Sequence, residues 1–154
     1  MKKIMKNNKK GFTLIELLAV IVILAILVMI AIPAVTKYLD SARKGAFADT
    51  ASKIVSAVRG EYIRNPNETC YEMAGILPLL EKGLDKSPWG NEYGSVAVKI
   101  EDNTYSICMR EKTKQGQKPY HLKKESSDSA FVQEKEISQD VVKIDNGTSE
   151  CSCN

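Results

Sequence analysis

Five side chains in this sequence are of types and in places that suggest chemistry. One is Glu16, a lone carboxylate at the head of an apolar run that continues from Leu17 to Ile32. A charge is expensive in such surroundings, so a carboxylate kept there calls for a partner. The other four are Cys70, Cys108, Cys151 and Cys153, all of which follow the apolar run. That placement fits export to an oxidising space, where thiols pair. Bonding Cys151 to Cys153 across a single residue is geometrically awkward, so Cys70 and Cys108 are each expected to tie to the tail, in an order the sequence leaves open. Closing the loop from Cys108 to Cys151 is worth about 4 kcal/mol in the chain-entropy account. Zinc held by the same four sulfurs is the alternative, although two distant single cysteines plus a Cys-x-Cys lack the paired spacing of common zinc sites. No other cofactor is expected.

Enzyme chemistry finds little support. His121 is the single histidine and has no Ser or Cys at a spacing that suggests a dyad. No glycine-rich phosphate loop follows a strand, and the acids lack metal-ligand spacing. Trp89, the single tryptophan, is expected to pack rather than to serve as a stacking platform for sugars or bases. Asn67-Glu68-Thr69 and Asn146-Gly147-Thr148 match a glycosylation acceptor pattern, but three-residue matches arise readily by chance.

The net charge of +3 misleads. Of 22 basic residues five are lysines within Met1 to Lys10, and the rest of the chain has two fewer bases than its 19 acids. Nucleic-acid binding needs a clustered surplus of Lys and Arg, so it is not supported as a partner class. Lys112-Thr113-Lys114 and Lys123-Lys124 read as solvated loops.

These groups need elements to hold them. From Leu17 to Val35 no residue is charged, and 19 residues at 1.5 Å each span about 28 Å, close to a hydrocarbon core of about 30 Å. Lysines in front and cysteines behind orient such a helix with its N-terminus in the cytoplasm and the remainder outside. Pro33 is expected to bend or locally melt the helix near Val28 and Met29. Beyond it Phe47, Ala51, Ile54, Val55, Val58 and Tyr62 fall on one face of a 3.6-residue period, so this half packs on a sheet and stops at Asn65-Pro66. Asn67 to Glu92 reads as a connection with a short helix over Tyr71 to Glu81, interrupted by Pro78. Val96, Val98 and Ile100, the turn pair Asp102-Asn103, then Tyr105, Ile107 and Met109 predict a hairpin. Tyr120-His121-Leu122 and Val141 to Ile144 predict two more strands, the last ending in an Asp145-Asn146-Gly147 turn, with a loop or cap at Ser126 to Ser129.

Gly11-Phe12-Thr13-Leu14-Ile15-Glu16 behind a basic leader resembles the N-terminus of the type IV prepilins and pseudopilins. Pro33 falls where pilins place a helix-bending proline, and Pro88-Trp89-Gly90-Asn91-Glu92-Tyr93 resembles a stretch of major pseudopilins and of some Gram-positive pilins. The resemblance implies an α+β pilin fold, with residues 1–11 a leader, 12–35 the membrane and polymerisation half of a long helix, and 36–154 a globular domain. It implies that a prepilin peptidase cuts between Gly11 and Phe12 and methylates Phe12. Glu16 then meets the Phe12 amine of a neighbouring subunit, and Pro33 shapes the assembling helix. Implied partners are copies of the same chain or related subunits, the peptidase, an assembly ATPase with its membrane platform, and the membrane itself before assembly into an extracellular filament. The alternatives are a pseudopilin of a secretion or DNA-uptake system, and a single-span anchored binding protein that keeps Met1.

Overall fold

The fold is taken from a computed structural model of the chain, which describes residues 11–81, 83–112, 118–123, 130–144 and 150–153. The leader lysines, Ser126 to Ser129, the Asp145-Asn146-Gly147 turn, the second acceptor pattern and the middle of the loop after Lys112 lie outside them. One long helix, α1, runs from Leu14 to Arg64. It is followed by β1 (Cys70–Glu72), the single turn α2 (Met73–Ile76), the hairpin strands β2 (Tyr93–Glu101) and β3 (Thr104–Glu111), and the short strands β4 (Tyr120–Leu122), β5 (Val132–Gln133) and β6 (Val142–Ile144). Two compact units result, one ending at Leu39 and the other beginning at Asp40.

In the first unit every helical residue is exposed. Its apolar stretch is long enough to cross a membrane, with a mean hydropathy of 3.3. Pro33 lies inside α1, and helix continues on both sides of it. The expected melting near Val28 and Met29 is therefore not found. Proline removes one donor and crowds one preceding carbonyl, a local loss that the flanking turns of a long helix can absorb. Thr36 Oγ1 donates to the Pro33 carbonyl at 3.1 Å.

In the second unit α1 gives up its other face. Phe47, Ala51, Ile54, Val55 and Val58 are fully buried, Ala48 nearly so, and Tyr62 packs at the edge, as the period predicts. Opposite them stand Val96, Val98, Ile100, Tyr105, Ile107 and Met109 from the hairpin, joined by Leu122, Val132 and Val142. The sheet is antiparallel throughout, ordered β1-β2-β3-β4-β6, with β5 also beside β3. Asp102 and Asn103 adopt φ of 47° and 60°, the doubly positive turn that joins two strands with the natural twist. Helix α1 ends one residue before Asn65-Pro66, as the restriction on a residue preceding proline requires.

Two segments differ from expectation. Cys70 to Glu72 is a strand paired with Ala97 to Lys99, and the helix over Tyr71 to Glu81 shrinks to Met73–Ile76 plus a 3-10 turn at Leu77–Leu79. Pairing with β2 buries Tyr71 on the core face and leaves Pro78 at the start of the 3-10 turn, where its missing donor costs nothing. The last strand begins one residue late, since Val141 closes a 3-10 turn.

Candidate functional site

Gly11, Phe12 and Thr13 precede the helix and are exposed, Phe12 at 94%. What stops the helix from running back through them is a reciprocal cap. The Thr13 backbone N–H and hydroxyl donate to Glu16 Oε2 at 2.8 and 2.7 Å, and the Glu16 N–H donates to Thr13 Oγ1 at 3.3 Å. This is a capping box, which satisfies donors that an α-helix otherwise leaves open at its start. The Gly11–Phe12 bond thus sits in non-helical chain directly ahead of a fixed helix start, and Glu16 is the fifth residue past it. Thr13 was not singled out from sequence, although Thr-x-x-Glu before an apolar run is the pattern that would have found it. Pro33 is brought near none of these groups.

The cysteines lie on the opposite sheet face from α1. Disulfides join Cys70 to Cys153 and Cys108 to Cys151, with Cα separations of 5.9 and 5.5 Å. The tail crosses three strands. Cys151 is fixed to β3 and donates its N–H to Ser95 Oγ at 3.2 Å, while Cys153 is fixed to β1 and donates to Glu72 Oε1 at 2.9 Å. Cys108 and Cys151 are buried with Ala97 in a small apolar cluster that Ala130 and Phe131 help cover.

Trp89 is taken up by packing. Its ring stacks on Tyr120 with centroids 3.5 Å apart and meets Phe47 edge-on at 5.9 Å. The loop that carries it is closed by Ser87, whose N–H donates to the Asn91 carbonyl and whose carbonyl accepts from Gly90, both at 2.8 Å. Gly90 supplies the φ of 79° that this turn needs. Underneath lies Glu111, 1% exposed, which accepts from Ser87 Oγ, from Asn91 Nδ2 at 3.1 Å and from the Tyr120 N–H at 3.2 Å. Nothing in the sequence marked it, because a carboxylate at a strand end usually faces water. Burial holds the phenols of Tyr71, Tyr93 and Tyr120 above the ordinary tyrosine value. His121 stands on β4 opposite Arg110 and Lys143, and no group of three or more metal-ligating side chains forms among the described residues.

Comparison with known proteins bears on the N-terminal segment. The prokaryotic N-terminal methylation motif matches residues 6–32. The ComG operon protein 3 homolog of Bacillus licheniformis is 54% identical over 37 residues, which make up 24% of this chain and 38% of that protein. The match thus spans well under half the length of the relative. No solved structure matches the chain. A methylation motif leading into a long apolar helix, whose second half lies on an antiparallel sheet, makes the chain similar to the type IV pilin-like family, with the sequence likeness confined to its N-terminal segment.

Proposed function

We propose that the chain is a structural subunit of a type IV pilus-like filament. A prepilin peptidase would cut between Gly11 and Phe12 and methylate Phe12. The observation that carries this reading is the exposed, non-helical Gly11–Phe12 bond set directly ahead of a capped apolar helix that keeps one carboxylate. Before assembly the helix holds the precursor in the cytoplasmic membrane, with residues 36–154 outside. Afterwards the same apolar surface packs against copies of itself or related subunits, and Glu16 pairs with a neighbour's Phe12 amine. In low dielectric that attraction is many times its value in water. An assembly ATPase and its membrane platform supply the work, and the chain itself performs no catalysis.

A second reading, a pseudopilin of a secretion or DNA-uptake system, is favoured by the Pro88 to Tyr93 stretch, whose turn and stacked Trp89 fit that resemblance. Mass spectrometry of the native protein, combined with shearing of cells, tests the main proposal. A product beginning with methylated Phe12 and recovered in sheared filaments is expected. A chain that keeps Met1 and stays with the membrane overturns it in favour of a single-span anchor.

A further inference from the structure

We infer that Lys37 and Tyr38 form an interfacial anchor that sets the depth of the membrane-held chain, by binding the headgroup and glycerol region of the outer leaflet. The inference rests on the membrane-anchored precursor proposed above. Tyr38 is 74% exposed on α1, and neither its side chain nor that of Lys37 makes a hydrogen bond, ion pair or ring contact among the described residues. The next aromatic along the helix, Phe47, is fully buried, whereas Tyr38 is exposed. The next lysine, Lys44, is already paired with Asp40 at 2.8 Å.

Spacing argues for a lipid occupant. Glu16 and Lys37 are the charged residues that bracket the apolar stretch, and 21 steps of helix separate them by about 31 Å. That equals the thickness of a hydrocarbon core, about 30 Å, so with Glu16 at one boundary Lys37 and Tyr38 fall at the other. Tyrosine prefers this boundary because its ring is apolar and its hydroxyl finds water and ester oxygens, and lysine extends its ammonium to lipid phosphate. A tyrosine left exposed for water alone gains nothing from its position.

The full chain carrying Tyr38→Trp, reconstituted in vesicles containing phosphatidylglycerol, tests this directly. Lipids are brominated either high on the acyl chain, near the glycerol, or deep, near the bilayer centre, and the Trp89 background is measured in the unchanged protein. High bromines are expected to quench the new indole more than deep ones, and Lys37→Glu in the same background is expected to weaken that quenching. Ile26→Trp is the control for the membrane reading and is expected to show the reverse order. If the Ile26→Trp indole is quenched by neither lipid, the anchored precursor itself falls. If Ile26→Trp behaves as stated while the indole of Tyr38→Trp is untouched or is quenched best by deep bromines, the anchor alone falls. A blue-shifted, unquenched indole whose emission depends on protein concentration would instead place a second copy over Tyr38 and would likewise overturn the proposal.

Discussion

The carboxylate of Glu111, at the end of β3, accepts the backbone N–H of Tyr120, at the start of β4, across 3.2 Å. The same carboxylate takes the Ser87 hydroxyl and the Asn91 amide, so one buried side chain joins two strands to the loop carrying Trp89. Its donors are neutral. Hydrogen bonds made in a low-dielectric interior are stronger than they would be in water.

Glu111→Ala is expected to destabilise the sheet-bearing unit by about 3 kcal/mol, because it leaves buried donors without an acceptor. Glu111→Gln should cost less, about 1 to 2 kcal/mol, since it keeps one acceptor oxygen and turns an amide toward a donor. Urea titration followed by fluorescence of the single tryptophan reads this at the site itself. Equal midpoints for all three proteins would show that Glu111 does not hold the loop.

Glycine positions are expected to divide in the same assay. A Cβ at Gly45 or Gly60 meets nothing within 4 Å, so alanine at either helix position should stabilise the isolated chain by about 0.5 to 1 kcal/mol. At Gly94 an added Cβ would lie 3.0 Å from the Lys112 Cα, where the register of β2 against β3 shifts. Gly94→Ala should therefore destabilise the hairpin. Backbone, rather than a side chain able to turn away, is what it strikes.

Reduction is expected to lower stability more than either kind of point change. The loops closed by Cys108–Cys151 and Cys70–Cys153 hold 43 and 83 residues. Each alone is worth about 4 kcal/mol in the chain-entropy account. The first loop lies inside the second, so the pair together gives less than twice that. Thiol counting after unfolding of oxidised protein should find none. Four reactive thiols with one bound zinc would replace both disulfides by the metal site.

How legible this was follows from which interactions are local. The buried face of α1 repeats every 3.6 residues, and the Asp102-Asn103 turn is encoded by two adjacent residues, so both can be read directly. Cys70 to Glu72 could not be read as a strand, because three residues carry almost no period and their pairing is decided by Ala97 to Lys99, far along the chain. The cysteines could be assigned to the tail but not ordered, since only the placement of β1 and β3 brings Cys70 to Cys153 and Cys108 to Cys151. Glu111 was invisible for the same reason. Thr13 is encoded locally, by a Thr-x-x-Glu capping pattern that overlaps a more conspicuous motif.

That cap changes how Glu16 must be tested. Glu16→Ala removes the anion offered to a neighbour's Phe12 amine, but it also removes the acceptor of both Thr13 bonds, and losing a helix cap costs about 1 kcal/mol by itself. Glu16→Gln separates the two roles. Glutamine serves in a capping box as glutamate does, so the helix start is kept while the charge is lost. If the charge drives assembly, Glu16→Gln and Glu16→Ala should both be cut at Gly11–Phe12 and reach the membrane at normal levels yet form few filaments. A capping role predicts the opposite, with Glu16→Gln assembling normally and Glu16→Ala failing. Sheared material imaged by electron microscopy, alongside the membrane level and N-terminus of each variant, decides between them. Abundant filaments from both variants would mean that Glu16 sets no register between subunits.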